Sequence, residues 1–166
     1  HLKRNPQSFV PVINIDNKSF TQSLSIIEYL NETRGLDLLP KDHAKRAQVT
    51  ALAYSIAIDI HPICNLSVSS YAEEISGEKN YKQKWMKKFI GPGLEAFEKL
   101  LEDFPKGSFS VGDTPSLPDL CLIPQIYNAI RWEVDITHLS RINSIIGSCN
   151  KHPAFINAHP DFFKPS

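Results

Sequence analysis

At 166 residues, 42% hydrophobic and 10% aromatic, the chain is long enough for one full core, or for one domain joined to part of a second. Eighteen Lys and Arg against eighteen Asp and Glu give a formal net charge of zero, so there is no basic excess to hold a nucleic-acid backbone or an anionic membrane. No apolar run approaches the roughly 18 residues of a membrane span, and no apolar signal core follows His1, so neither secretion nor membrane insertion is expected.

In chain order, Phe9 to Asp16 is rich in β-branched residues and ends in Asp16-Asn17, after which Lys18 to Thr21 can return as a second strand. Gln22-Ser23 then precedes Leu24, Ile27 and Leu30 at helical spacing, and Gly35 stands where a helix end wants a left-handed residue. The result is a β-β-α unit. A two-stranded sheet with one helix is marginal alone, so further strands are expected upstream, and the polar opening and absent initiating Met fit a chain that starts within a longer protein. After Leu38-Leu39-Pro40, Asp42 is placed to cap a helix that runs through Val49, Leu52, Ile56 and Ile60 until Pro62 breaks it.

Apolar spacing resumes at Ile63, Leu66 and Val68. A polar stretch from Glu73 to Lys82 leads into a long helix carrying Trp85, Phe89, Leu94, Phe97 and Leu101, with Pro92 inside it. Ser116-Leu117-Pro118-Asp119 reads as a capping box before Leu120 to Tyr127, a run so apolar on every side that it belongs in the middle of a bundle. A last helix is expected over 140–150, and a short one near 154–158. The predicted class is therefore α+β and mostly helical, with a β-β-α part over 1–36 and an all-helical bundle over 37–166.

Three cysteines, Cys64, Cys121 and Cys149, sit singly in apolar helical patterns, as buried reduced thiols do, and favour a reducing cytoplasm. The six histidines lack metal-ligand spacing, no glycine loop is suited to phosphates, and the lysines of 79–88 read as one solvated helix face. One constellation carries chemistry. A cis peptide bond at Val10-Pro11 would turn the Val10 backbone outward, where an extended peptide can pair with it. Gln22-Ser23 at a helix start would aim free N–H groups and the positive dipole end at a carboxylate. The alternative on pattern alone is a trans proline opening an edge strand, with Ser23 serving only as a cap.

Asn5-Pro6, Val10-Pro11, Gln22-Ser23-Leu24-Ser25-Ile26-Ile27-Glu28-Tyr29-Leu30 and Leu38-Leu39-Pro40 together resemble the glutathione transferases, specifically their zeta class. The resemblance continues through Pro62, Asn65 to Val68, Val111-Gly112-Asp113, Asp119 to Gln125 and Asn128 to Arg131. It implies the end of a thioredoxin-like domain followed by the transferase helical domain. It also implies glutathione as cofactor, with Val10 pairing its backbone beside a cis Pro11 and with Gln22 and Ser23 holding the γ-glutamyl end. Arg131 matches an arginine that meets a carboxylate of a small dicarboxylic substrate, against a plain reading as a surface partner of Glu133 or Asp135. His61 stands where the class has a glutamine lining the electrophile pocket, and capping or packing is its rival role.

The implied activity is glutathione-dependent cis-trans isomerisation of maleylacetoacetate to fumarylacetoacetate in tyrosine and phenylalanine breakdown, with transferase action on small α-halo acids, in a cytoplasmic homodimer. One departure is large. The Ser-Ser-Cys-Ser-type motif that activates the thiol in this class does not occur, and its β-α-β segment would need about 30 residues upstream of His1. Ser67, Ser69 and Ser70 are poor substitutes, so no catalytic residue is assigned. A truncated, non-catalytic binding or dimerisation module is the alternative, and a scaffold borrowing only the helical domain a weaker one.

Overall fold

A tight hairpin opens the part of the chain that the computed structural model describes, residues 5–163. Strands β1 (Val12–Ile15) and β2 (Lys18–Thr21) pair antiparallel, with Val12 opposite Thr21 and Ile15 opposite Lys18. Asp16 and Asn17 make the turn with φ of 51° and 58°. Both angles lie in the left-handed region that a two-residue hairpin turn needs and that Asp and Asn tolerate best among residues with a side chain.

The first strand begins at Val12 rather than at Phe9, because the Val10-Pro11 bond is cis and Pro11 has no N–H for a ladder. The buried Asn5 shapes the loop before it, donating from Nδ2 to the Phe9 carbonyl at 2.8 Å and accepting at Oδ1 from the Gln7 N–H at 3.1 Å.

Helix α1 (Ser23–Arg34) ends at Gly35, whose φ of 62° is the left-handed cap expected there. The helix lies on the hairpin through Phe20 and Tyr29, whose rings stack with centroids 4.3 Å apart. Asn31 is buried and its Oδ1 accepts from the Leu38 N–H at 2.8 Å, which fixes the chain as it leaves the helix. At Leu38 the first of two compact units ends, and the second begins at Leu39.

The second unit is all helical, with α2 (His43–Ala57), α3 (Leu66–Ser76), α4 (Tyr81–Leu100), α5 (Leu117–Arg131), α6 (Ser140–Cys149) and α7 (Pro153–Asn157). Asp42 caps α2 by accepting from the Lys45 N–H at 2.9 Å. This helix stops at Ala57, short of Pro62. The carbonyls of Tyr54 and Ile56 accept from Asp59 and His61, five residues on, and the widened turns tuck Ile60 into the core.

Helix α3 also departs from the sequence pattern. Its buried residues are Ser69 and Ala72, while Leu66, Val68, Tyr71 and Ile75 are exposed. Small residues face the core there because α3 packs closely on α4.

Helix α5 runs through the centre of the bundle as expected, with Leu122, Ile126 and Ala129 buried among Leu52 and Ile56 of α2, Met86 to Phe97 of α4 and Ile142, Ile145 and Cys149 of α6. Its capping box is formed. Asp119, wholly buried, accepts from the N–H and hydroxyl of Ser116 at 2.8 and 2.7 Å and from the N–H and hydroxyl of Ser110 at 2.8 and 2.6 Å. No described helix is long and apolar enough to cross a membrane.

Candidate functional site

In the first unit, the cis bond leaves Val10 81% exposed, and no hydrogen bond among the described residues uses its N–H or C=O. That leaves the Val10 backbone open to a peptide. Thirteen residues on, α1 starts without a side-chain cap, so its first N–H groups carry the positive end of the helix dipole into open space.

The N-cap is Gln22, not Ser23. Gln22 holds φ 69°, ψ 114°, a conformation residues with a Cβ adopt only where their surroundings impose it, and strain of this kind collects at ligand sites. Ser23, the first helical residue, is exposed beside it. The side chain of Gln22 donates from Nε2 to Oε1 of Gln7 at 3.2 Å, tying the helix start to the loop that presents Val10 and Pro11. Val10, Pro11, Gln22 and Ser23 thus belong to one small unit built around an open stretch of backbone before β1 and an open helix start.

Asp16 braces this unit from the far end of the hairpin. Its carboxylate accepts from the Tyr29 hydroxyl at 2.7 Å and from Arg34 Nη2 at 2.8 and 2.6 Å, so the turn is tied to the later half of α1. The Tyr29 hydrogen bond, followed by that of Arg34, holds the Asp16 carboxyl below its usual range. Sequence reasoning did not single out Asp16 or Gln7 for such roles, because neither the i to i+18 tie to Arg34 nor the i to i+15 tie to Gln22 has a local signature. The Asp16-Asn17 turn was the only available signal.

In the second unit, Arg131 closes α5 and is exposed, with its guanidinium carbon 5.6 Å from the centre of the Trp132 ring. The surface pairing weighed for it does not form. Glu133 accepts instead from Gln83 Nε2 at 2.8 Å and lies 3.7 Å from Lys87 Nζ, and the Asp135 carboxylate accepts from the N–H and hydroxyl of Thr137 at 2.9 and 2.7 Å. Among the described residues Arg131 has no acidic partner.

His61 is exposed on the turn after α2, and among the described residues its side chain makes no hydrogen bond. Of the three serines considered as substitutes for the absent motif, Ser69 is buried and its hydroxyl donates to the Asn65 and Leu66 carbonyls. Burial pushes the thiols of Cys64 and Cys121 up to about 11 and that of Cys149 to about 12, so none is a thiolate near neutrality. Among the described residues no three His, Cys, Asp or Glu are gathered to hold a metal ion.

A cis-proline β-β-α unit of thioredoxin type, followed by a helical bundle centred on a capping-box helix, defines the class as glutathione transferase. No protein-family model matches the chain. The maleylacetoacetate isomerase of Rhizobium meliloti is 49% identical over 167 residues, which is 99% of this chain and 78% of that protein. The holo structure of a maleylpyruvate isomerase, described as a bacterial zeta-class glutathione transferase, superposes with a TM-score of 0.91 at 37% identity, over 96% of this chain and 76% of that one.

A structure of the maleylacetoacetate isomerase of Methylobacterium extorquens AM1, with malonate and glutathione bound, gives a TM-score of 0.90 at 31% identity over 99% of this chain and 78% of that one. The chain belongs to the maleylacetoacetate isomerase family of zeta-class glutathione transferases. Because these relatives carry the names of enzymes along nearly the whole of this chain, a non-catalytic module is the less favoured reading.

Proposed function

We propose that the chain serves a glutathione-dependent isomerase that converts maleylacetoacetate to fumarylacetoacetate, in the breakdown of tyrosine and phenylalanine. The carrying observation is the cis Val10-Pro11 junction with an open Val10 backbone, joined through Gln7 and Gln22 to an uncapped helix start. This donor set fits an acidic tripeptide. The Val10 N–H and C=O would pair with its backbone, and Gln22 and Ser23 with the first N–H groups of α1 would hold the carboxylate of its γ-glutamyl end.

Bound glutathione supplies the thiol nucleophile for reversible addition to a conjugated double bond. The part of these residues is to bind and orient. The pairings in the first unit fix the peptide's direction, and Arg131, without an acidic partner among the described residues, offers a planar fork to a substrate carboxylate. The same cation suits small α-halo acids, a second substrate class. His61 is proposed as a further lining residue of the electrophile pocket. A homodimer in the cytoplasm completes the reading. It is supported by apolar side chains left exposed on α3, Tyr71 at 64% and Ile75 at 68%, and is tested by light scattering on the eluted protein.

Calorimetric titration of glutathione tests the site. Saturable binding that weakens with Gln22→Ala and again with Ser23→Ala is the expected result. Binding unaffected by either substitution, or absent from a folded protein, would overturn it.

A further inference from the structure

Glu133 occupies a position that ordinary helix chemistry disfavours. Helix α5 ends in a Schellman arrangement, in which the Val134 N–H donates to the Ala129 carbonyl at 3.0 Å and the Glu133 N–H to the Ile130 carbonyl at 3.1 Å. The left-handed residue of that motif is usually glycine, yet here it is glutamate with φ 54°. The Cβ raises its conformational cost, and a negative charge sits badly at the negative end of a helix dipole. Glu133 also stands two residues from Arg131, the cation that the proposed function assigns to the substrate, and would be its natural partner across the helix end.

It is held elsewhere. Gln83 donates to its Oε2 at 2.8 Å and Lys87 approaches the same oxygen at 3.7 Å. Both come from the first two turns of α4, four residues apart and therefore on one face of that helix. Two donors on α4 against one on α5 decide where the carboxylate rests.

We propose that Gln83 and Lys87 are positioning residues that hold the Glu133 carboxylate on α4, leaving the Arg131 guanidinium open for a dicarboxylate. The inference rests on the substrate role given to Arg131. Releasing Glu133 lets it compete for Arg131 as an internal carboxylate. An exposed ion pair competes weakly, so apparent affinity for a dicarboxylate falls between about two- and fivefold.

The experiment compares Gln83→Leu with Lys87→Met, made together, against the same pair carrying Glu133→Gln, in the intact protein. Two readouts are the calorimetric affinity for malonate, an unreactive dicarboxylate, and the KM and kcat for maleylacetoacetate. The double variant is expected to bind malonate more weakly and to raise KM without lowering kcat, while turnover of the uncharged 1-chloro-2,4-dinitrobenzene stays as in the parent. Adding Glu133→Gln restores both values. Lys87→Glu, which repels Glu133 without touching the core, reproduces the loss.

Arg131→Gln separates the two claims. If it leaves malonate affinity and KM unchanged, the substrate role of Arg131 fails and this inference with it. If it weakens both while release of Glu133 does nothing, or if Glu133→Gln gives no restoration, only the positioning role is overturned.

Discussion

Glu98 and Arg141 each cap the end of the helix that carries the other. Glu98, on α4, accepts from the N–H groups of Arg141 and Ile142 at 2.8 Å each, supplying the α6 start with the cap that Leu139 cannot provide. Arg141, on α6, turns the other way. Its guanidinium donates to the Leu101, Phe104, Pro105 and Ser110 carbonyls, pinning the stretch where α4 ends and the chain loops toward α5.

The exchange sets an order of costs. Arg141→Met leaves four carbonyls short of a charged donor and is expected to cost about 2 to 4 kcal/mol, whereas Glu98→Ala removes a cap worth about 1 kcal/mol. Arg141→Lys recovers little, because one ammonium cannot span the carbonyls a planar fork reaches. Urea unfolding of the three variants checks the ranking, and a cost for Glu98→Ala above that of Arg141→Met would refute it.

Close approach explains a second sensitivity. A Cβ built on Gly93 of α4 would lie 2.5 Å from Cδ1 and 2.6 Å from Cγ1 of Ile60, which is 2% exposed and has nowhere to retreat. Gly93→Ala is therefore expected to destabilise by about 1 to 3 kcal/mol even though alanine is the better helix former. Ile60→Val, which removes Cδ1, should relieve part of the clash when added to Gly93→Ala. Additive losses in the double variant would show that the two residues do not compete for the same space.

The three cysteines make stability depend on alkaline pH. Burial raises each thiol above its ordinary value of 9.0, to about 11 for Cys64 and Cys121 and about 12 for Cys149, so the folded state holds these protons more tightly than the unfolded chain. A raised folded value contributes stability that is complete below about pH 9 and is lost as pH climbs through 11 to 12. Melting temperature should be level from pH 7 to 8.5 and fall above 9. A thiol-specific disulfide reagent at pH 8 should titrate three groups in denaturant and spare the buried Cys64 and Cys149 in the native protein. Rapid labelling of more than one thiol in the native protein would contradict their burial.

Much of this architecture is legible in the residues themselves. The hairpin turn at Asp16-Asn17, the Asp42 cap, the capping box at Ser116 and the apolar run of α5 all rest on local chemistry. Where α2 stops is not local. Apolar spacing continues to Ile60, but the chain leaves the helix at Ala57 to bury Ile60 against Gly93, a partner more than thirty residues away. Leu66 and Val68 mislead for the same reason, since the tight packing of α3 on α4 selects small residues for the inner face. At the candidate site, Val10, Pro11, Gln22 and Ser23 carry a sequence signature, while Gln7, Asp16, Gln83 and Glu133 act through partners on other elements and have none.

The tie between Asp16 and α1 gives a prediction that joins fold to ligand. Asn tolerates the left-handed turn as well as Asp does, so Asp16→Asn keeps the hairpin and removes only the charge that Tyr29 and Arg34 share. Without that brace the later half of α1 is free to shift against the hairpin, and the helix start moves relative to Val10. Glutathione affinity should drop by about two- to fivefold, while far-ultraviolet circular dichroism stays unchanged. The parent protein should behave likewise in acid. The hydrogen bond from Tyr29, with the charge of Arg34, holds the Asp16 carboxyl below 3.8, so its share of the tie is complete above that pH and is lost only as the pH falls beneath it. Affinity measured from pH 8 down to 5 should accordingly show no step from Asp16, and Asp16→Asn should shift the whole profile by a constant factor. A variant whose loss appears only at one end of that range would place the effect on a different group.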